Sequence, residues 1–184
     1  MTLQTRKLVK NSGTSVMKLR ILNAGQNYRV VGGSDRYLLD LEGLLENKGH
    51  ESIPFAVSHP DNFPTEWSKY FPDQNRFEQP RIKDIAGFVY SVSTRKKLED
   101  LLAVCKIDLA HVHIYYGQLT GALLSVLKKH NIPIVQTLHE YKLVCPVYTL
   151  NRNGGNCMDC AEGKFYRCLV NKCNRNSISR SFLS

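Results

Sequence analysis

Short apolar runs alternate along this chain with longer segments of helical spacing, and that alternation constrains the fold more than any other feature. Lys18–Ala24 reads as a first strand, with Leu19, Ile21 and Leu22 apolar and turn residues after it. A helix follows over about Ser34–Lys48. Tyr37, Leu38, Leu41, Leu44 and Leu45 fall on one helical face, Ser34 or Asp35 can cap its start, and Gly49 suits its end. Ile53–Val57 reads as a second strand, and Leu109–Ile114 as a third. A helix over Leu119–His130 turns Leu123, Leu124 and Leu127 inward. The turn Asn131-Ile132-Pro133 leads into a fourth strand, Ile134–Leu138. Strands alternating with helices imply an α/β fold: a Rossmann-like parallel sheet with helices on both faces and right-handed crossovers.

Between the second and third strands the pattern breaks. Residues 58–81 hold Pro60, Pro64, Pro72 and Pro80 among Trp67, Tyr70, Phe71 and Phe77. The prolines forbid a long regular element, and the aromatics predict an ordered loop with short helical turns. Helical spacing returns at about Ile82–Tyr90 and at Thr94–Cys105, where Leu98, Leu101, Leu102 and Cys105 share a face.

With 184 residues, 42% hydrophobic and 22% charged, the chain suits one ordered domain. No apolar run reaches the roughly 18 residues that a membrane span needs. Residues 1–16 lack the apolar core of a secretory signal and read as a disordered leader, with Met17 an alternative start. The formal charge of +9 is unevenly placed. Residues 21–150 carry fourteen acids and fourteen bases, so the excess sits at the two ends. Basic ends are solvated tails or contacts for an anionic membrane surface or another phosphate-rich partner. The expected organisation is a leader (1–16), a Rossmann-like domain (17–150) and a cysteine-rich basic extension of it (151–184).

Chemistry concentrates at the expected strand ends. Gly25 to Gly33 joins the first strand to the first helix. In open parallel sheets, ligands bind at the carboxyl ends of strands. Free N–H groups at a helix start can hold a diphosphate, and glycines let it approach. The loop lacks the dinucleotide fingerprint, and no Gly-Lys-Ser/Thr follows, so neither a Rossmann oxidoreductase nor a nucleotide-triphosphatase loop fits. His111, His113 and His139 lie at or near the ends of strands three and four, with Glu140 and Tyr141 next to the last. Alternation points His111 and His113 the same way. Each histidine can also be a half-buried residue bonded to backbone. No carboxylate shows ligand spacing with them.

Cys157-x2-Cys160, Cys168 and Cys173 place four thiols within seventeen residues, after the turn Asn153-Gly154-Gly155-Asn156. A structural zinc, two disulfides and free thiols all stay open. Cys145 beside Pro146 is a fifth thiol, and Cys105 reads as core.

Taken in order, Lys18-Leu19-Arg20-Ile21-Leu22, Gly32-Gly33-Ser34, His111-Val112-His113 and His139-Glu140-Tyr141 resemble the amino-terminal domain of family-4 glycosyltransferases. Tyr141-Lys142-Leu143-Val144-Cys145-Pro146, followed by the four cysteines, is similar to a subset with a cysteine-rich loop after that histidine. The resemblance spans about residues 17–184. It implies one half of a GT-B architecture, in which two Rossmann-like domains face each other across a cleft. The activity implied is retaining transfer of a sugar from a nucleotide-diphosphate sugar to a glycan or lipid-linked acceptor, with no catalytic metal. Carried onto this chain, Gly32 and Gly33 would lie by the donor diphosphate and His139 by the transferred sugar. His113, Tyr116 and Glu140 would be substrate contacts.

The resemblance further implies that the chain is incomplete alone, as a fragment, a remnant or half of a split enzyme, with a carboxyl-terminal glycosyltransferase half as partner. The implied location is cytoplasmic, peripheral at the inner face of a membrane. The alternative reading is a standalone binding module whose zinc-stapled basic tail meets nucleic acid or an anionic membrane.

Overall fold

The computed structural model describes residues 17–74, 87, 89–182 and 184. The leader at 1–16 and most of the helical pattern at 82–90 lie outside these residues, as do Phe77 and Pro80.

Four parallel strands form the sheet: β1 (Arg20–Ala24), β2 (Glu51–Phe55), β3 (Leu109–Val112) and β4 (Ile134–Gln136), in the order β2-β1-β3-β4. The central strand β1 is buried from Ile21 to Ala24, which is why it reads as a continuous apolar run rather than an alternating one. Pro54 lies in β2, an edge strand where its missing N–H costs no ladder bond. This strand begins at Glu51, two residues before the expected start. Its polar first residue is paired with Lys18 at 3.4 Å and Arg20 at 3.2 Å on the neighbouring chain segment.

Helices cover both faces. Leu22, Ala24, Ile53, Phe55, Ala110 and Val112 point to one side and pack with Leu98 and Leu101 of α2 (Val92–Val104) and Leu123 and Leu127 of α3 (Thr120–Lys129). Truncating one of these fully buried leucines to alanine would cost about 2–5 kcal/mol. Ser91 caps α2 through a 3.1 Å bond from the Thr94 amide. The opposite face meets α1 (Gly33–Asn47), where Asn23 of β1 donates to the Leu38 carbonyl at 3.2 Å.

Both α1 and α3 end in a Schellman motif, with Gly49 at φ +87° and Asn131 at φ +55° in the left-handed position. In each, the two closing amides reach back, from Gly49 to Glu46 and His50 to Leu45, and from Asn131 to Lys128 and Ile132 to Leu127. These stops deliver the chain directly into β2 and β4.

The buried face of α1 differs from the sequence expectation. Leu38 is buried, but Tyr37 and Leu44 are exposed, and Asp35 and Glu42 are buried instead. Neither Ser34 nor Asp35 is the capping residue. Gly32 takes that position, and Asp35 reaches back from the first turn to accept from the Gly32 amide at 2.9 Å and the Val31 amide at 3.2 Å. Glu42 is buried because it accepts the Tyr28 hydroxyl at 3.1 Å.

Residues 58–74 form the expected ordered loop, with one short 3₁₀ turn at Glu66–Tyr70. Beyond β4 the chain makes a two-residue hairpin, β5 (Asn151–Arg152) with β6 (Gly155–Asn156). It then forms the short helices α4 (Tyr166–Val170) and α5 (Ile178–Phe182). Among the described residues no helix is long and apolar enough to cross a membrane.

Candidate active site

Because all four strands run parallel, their carboxyl ends share one edge of the sheet, and the polar residues predicted from the sequence converge there. The β3 exit brings His113 to the centre, where it is 1% exposed. Its amide donates to the Ala24 carbonyl at 2.8 Å, so the end of β1 fixes the backbone. His111 lies on the same face, with its ring stacked 4.5 Å from that of His113 and its Nε2 2.7 Å from Thr137 Oγ1.

His139 follows β4. Its Nε2 sits 2.9 Å from His113 Nδ1, and His113 Nε2 sits 3.0 Å from Asn23 Oδ1. The proton positions follow from the far end of this chain. The Leu38 carbonyl can only accept, so the Asn23 amide nitrogen faces it and Oδ1 faces His113. His113 must then carry its proton on Nε2 and accept at Nδ1. The donor to that nitrogen is His139 Nε2–H. The network therefore fixes His139 in the tautomer whose Nδ1 holds a lone pair. Among the described residues Nδ1 of His139 has no hydrogen-bond partner.

Burial reinforces the assignment. Loss of solvent, with His111 and His139 adjacent, pushes His113 down from 6.5 to about 3, so its ring stays neutral at physiological pH. His111 is lowered by burial and by His139.

Tyr37, one turn into α1, packs edge-on against both rings, 5.8 Å from His113 and 5.4 Å from His139. This contact sets the start of α1 beside His139. Gly32 and Gly33 lie exposed at that start, and a Cβ on either would meet nothing within 4 Å. Nothing within the described chain therefore requires glycine there. Gly25 differs, since a Cβ on it would come within 2.5 Å of Leu38 Cδ1. Helix geometry leaves the amides of Gly33, Ser34 and Asp35 without intrahelical acceptors. The Asp35 carboxylate already occupies those of Val31 and Gly32 and also accepts from Asn27 at 3.2 Å.

Tyr116, Glu140 and Lys142 form a second polar group next to the histidines. The backbone carbonyl of Tyr116 accepts from Gln26, tying it to the loop after β1. Burial raises the Tyr116 hydroxyl pKa, and the Glu140 carboxylate facing it adds to the rise. Lys142 Nζ stands 5.6 Å from the centre of the Tyr116 ring, and burial lowers its pKa. Tyr141 points outward and is exposed.

The four predicted cysteines also come together, and Cys145 joins them at the same small cavity. All six cysteines are free thiols, with Cys105 packed in the main core as expected. Among the described residues no three His, Cys, Asp or Glu side chains stand in metal-ligating geometry.

Sequence reasoning missed Asn23, Asp35, Tyr37 and Thr137. Asn23 had a signal: it is a lone amide inside an otherwise apolar, buried strand. Such a group needs a buried partner.

The fold defines a Rossmann-like α/β domain with a cluster of polar residues at the carboxyl end of the sheet. The domain model of glycosyltransferase family 4 matches residues 31–167, and the chain belongs to that family. The matched span contains Gly32, Gly33, His113, Tyr116, His139 and Glu140, and stops before Cys168 and Cys173. Family membership implies sugar-donor and acceptor substrates in general. No curated protein matches the chain at a significant level.

Proposed function

We propose that this domain is the acceptor-side half of a retaining glycosyltransferase that draws on a nucleotide-diphosphate sugar and works with a carboxyl-terminal donor-binding half. The observation that carries this reading is His139, whose tautomer is set by His113 and Asn23 and whose ring is held beside the start of α1 by Tyr37.

In this reading the diphosphate lies against the amides of Gly33 and Ser34, where no side chain intrudes. Charge gathers on the leaving diphosphate as the sugar–oxygen bond breaks. Amides and a helix dipole already aimed at it stabilise that charge without reorganising. His139 offers a lone pair at Nδ1 to a sugar hydroxyl. Tyr116 and Glu140 stand where an acceptor can be held by charge-assisted hydrogen bonds. No residue in this account needs a metal. The basic carboxyl-terminal segment fits contact with a lipid-linked acceptor at an anionic membrane face. Neither the fold nor the family match favours the standalone nucleic-acid or membrane-binding module.

The test joins this chain to a carboxyl-terminal donor-binding domain and presents a panel of nucleotide-diphosphate sugars, with released nucleoside diphosphate as the readout. Turnover by the joined pair and by neither half supports the proposal. A joined pair that binds the donor but releases nothing with any sugar overturns it.

A further inference from the structure

The described residues from Tyr141 to Phe182 fold without an apolar core. Among them only Cys145, Cys160, Cys168 and Ser181 are buried. Phe165, Tyr166, Val170, Ile178 and Phe182 are exposed. Seven non-glycine residues of this segment hold positive φ, from Tyr148 to Asn176. Such conformations are costly for L-residues and persist only where the surroundings over-determine them. The helices here are five residues long, too short to hold themselves. Apolar burial does not supply what is needed.

Sulfur does. Cys145, Cys157, Cys160, Cys168 and Cys173 line one cavity of about 10 Å³, room for a single water or ion and far too little for an organic ligand. Cys168 and Cys173 are brought together by the 3.1 Å bond from the Cys173 amide to the Cys168 carbonyl, and their thiols face each other. Cys145 and Cys160 share the cavity with this pair, and Cys157 lies on it near Cys160. Cys145, Cys160 and Cys168 are buried; Cys157 and Cys173 are both half-exposed, but of these two it is Cys173 whose thiol is paired with Cys168.

We propose that this cavity is a tetrathiolate site for one zinc-class divalent cation, with Cys145, Cys160, Cys168 and Cys173 as ligands and Cys157 outside the ligand set. Binding would release a proton from each ligating thiol and draw the four sulfurs to about 2.3 Å from the metal. Four thiolates around a divalent cation carry a net double negative charge. Two cations stand ready to balance it, Lys142 beside Cys145 and Cys168, and Arg167 beside Cys160. Two disulfides are the rival arrangement; they need the thiols paired off, whereas all five are free and line one cavity, into which a cation would have to draw them. The site would clamp the turn that follows β4. Cys145 lies six residues beyond His139 in sequence, and its amide closes that turn on the Tyr141 carbonyl at 2.8 Å.

The experiment uses the full chain, purified under reducing conditions from zinc-supplemented cells, with elemental analysis, intact mass and cobalt substitution. The expected result is about one zinc per chain, and a cobalt form with the intense visible bands of tetrahedral thiolate coordination. Cys145→Ser should lower zinc affinity at least tenfold, and Cys157→Ser should leave it unchanged. The cobalt spectrum of the unaltered chain decides the matter even where a variant fails to fold. A metal-free chain, iron in place of zinc, or a mass short by the hydrogens of disulfides overturns the proposal. Equal loss of zinc in both variants overturns the ligand set.

Discussion

His113 Nδ1 accepts a 2.9 Å hydrogen bond from His139 Nε2, joining the end of β3 to the segment after β4. A buried ring held neutral thus orients a half-exposed one. The half-exposed ring is presented to solvent with a defined tautomer, and its backing partner is anchored 90 residues away in sequence at Asn23. In the glycosyltransferase reading, this arrangement makes His139 the reacting group and His113 its support.

Replacing His139 by alanine is expected to lower kcat of the joined enzyme at least 100-fold, the scale of a lost acid–base or transition-state contact. KM for the donor should change little. The fold should lose no more than about 1 kcal/mol, since water can reach the freed Nδ1 of His113 from the half-exposed side. Steady-state kinetics with a parallel denaturation curve checks both parts, and an unchanged kcat removes His139 from the mechanism.

The depressed pKa of His113 makes stability depend on pH with a definite sign. The folded ring stays neutral down to about 3, while the unfolded ring takes a proton near 6.5. The unfolded state therefore binds more protons between those values, and stability falls as pH falls from about 6.5. The slope for one such histidine is at most about 1.4 kcal/mol per pH unit, with His111 adding in the same direction. Glu51, Glu99 and Asp108, held below their ordinary values by basic and backbone partners, lose their contribution only at lower pH. Glu42 acts oppositely, because burial raises its carboxyl and stability rises as that group protonates. Urea denaturation between pH 7 and 5 should show the decline, and His113→Gln should flatten it. A decline that persists in full in that variant assigns it elsewhere.

Asn23→Asp tests the anchor. A carboxylate 3.0 Å from His113 Nε2 favours the charged ring, so the His113 pKa should rise toward or above its ordinary value. Protonated Nδ1 would then face the Nε2–H of His139, donor against donor, and the pair should part. The Leu38 carbonyl would also lose its donor, at a cost of about 1–3 kcal/mol. Imidazole NMR titration reads the pKa directly, and an unmoved value would mean that Asn23 does not govern His113.

The sheet, its strand ends and the inward faces of α2 and α3 were legible in the sequence because they depend on local periodicity. The face of α1 was not. Spacing alone placed Tyr37 and Leu44 with Leu38, but Asp35 and Glu42 take the buried positions. Their partners, the loop amides before the helix and the Tyr28 hydroxyl, are invisible to a hydrophobic pattern. The histidines were legible as strand-end residues, whereas the tautomer logic joining them to Asn23 exists only once the sheet places β1 beside β3. Cys145 was legible as a thiol, and its place among the other four depends on how the carboxyl-terminal turns fold back on it.

Two glycines of the first loop should respond in opposite ways to the same substitution. A Cβ on Gly25 would lie 2.5 Å from Leu38 Cδ1, and Leu38 is only 2% exposed, so its side chain has little room to yield. Gly25→Ala should therefore cost about 1–3 kcal/mol of stability through overpacking. A Cβ on Gly33 meets nothing within 4 Å, and the residue opens α1, where alanine favours the helix over glycine by up to about 1 kcal/mol. Gly33→Ala should leave the denaturation midpoint unchanged or slightly raised. In the joined enzyme the same methyl would stand where the diphosphate must approach the Gly33 and Ser34 amides, so KM for the donor should rise about tenfold or more. Loss of donor affinity without loss of stability would locate the diphosphate at this helix start, and an unchanged KM would place it elsewhere.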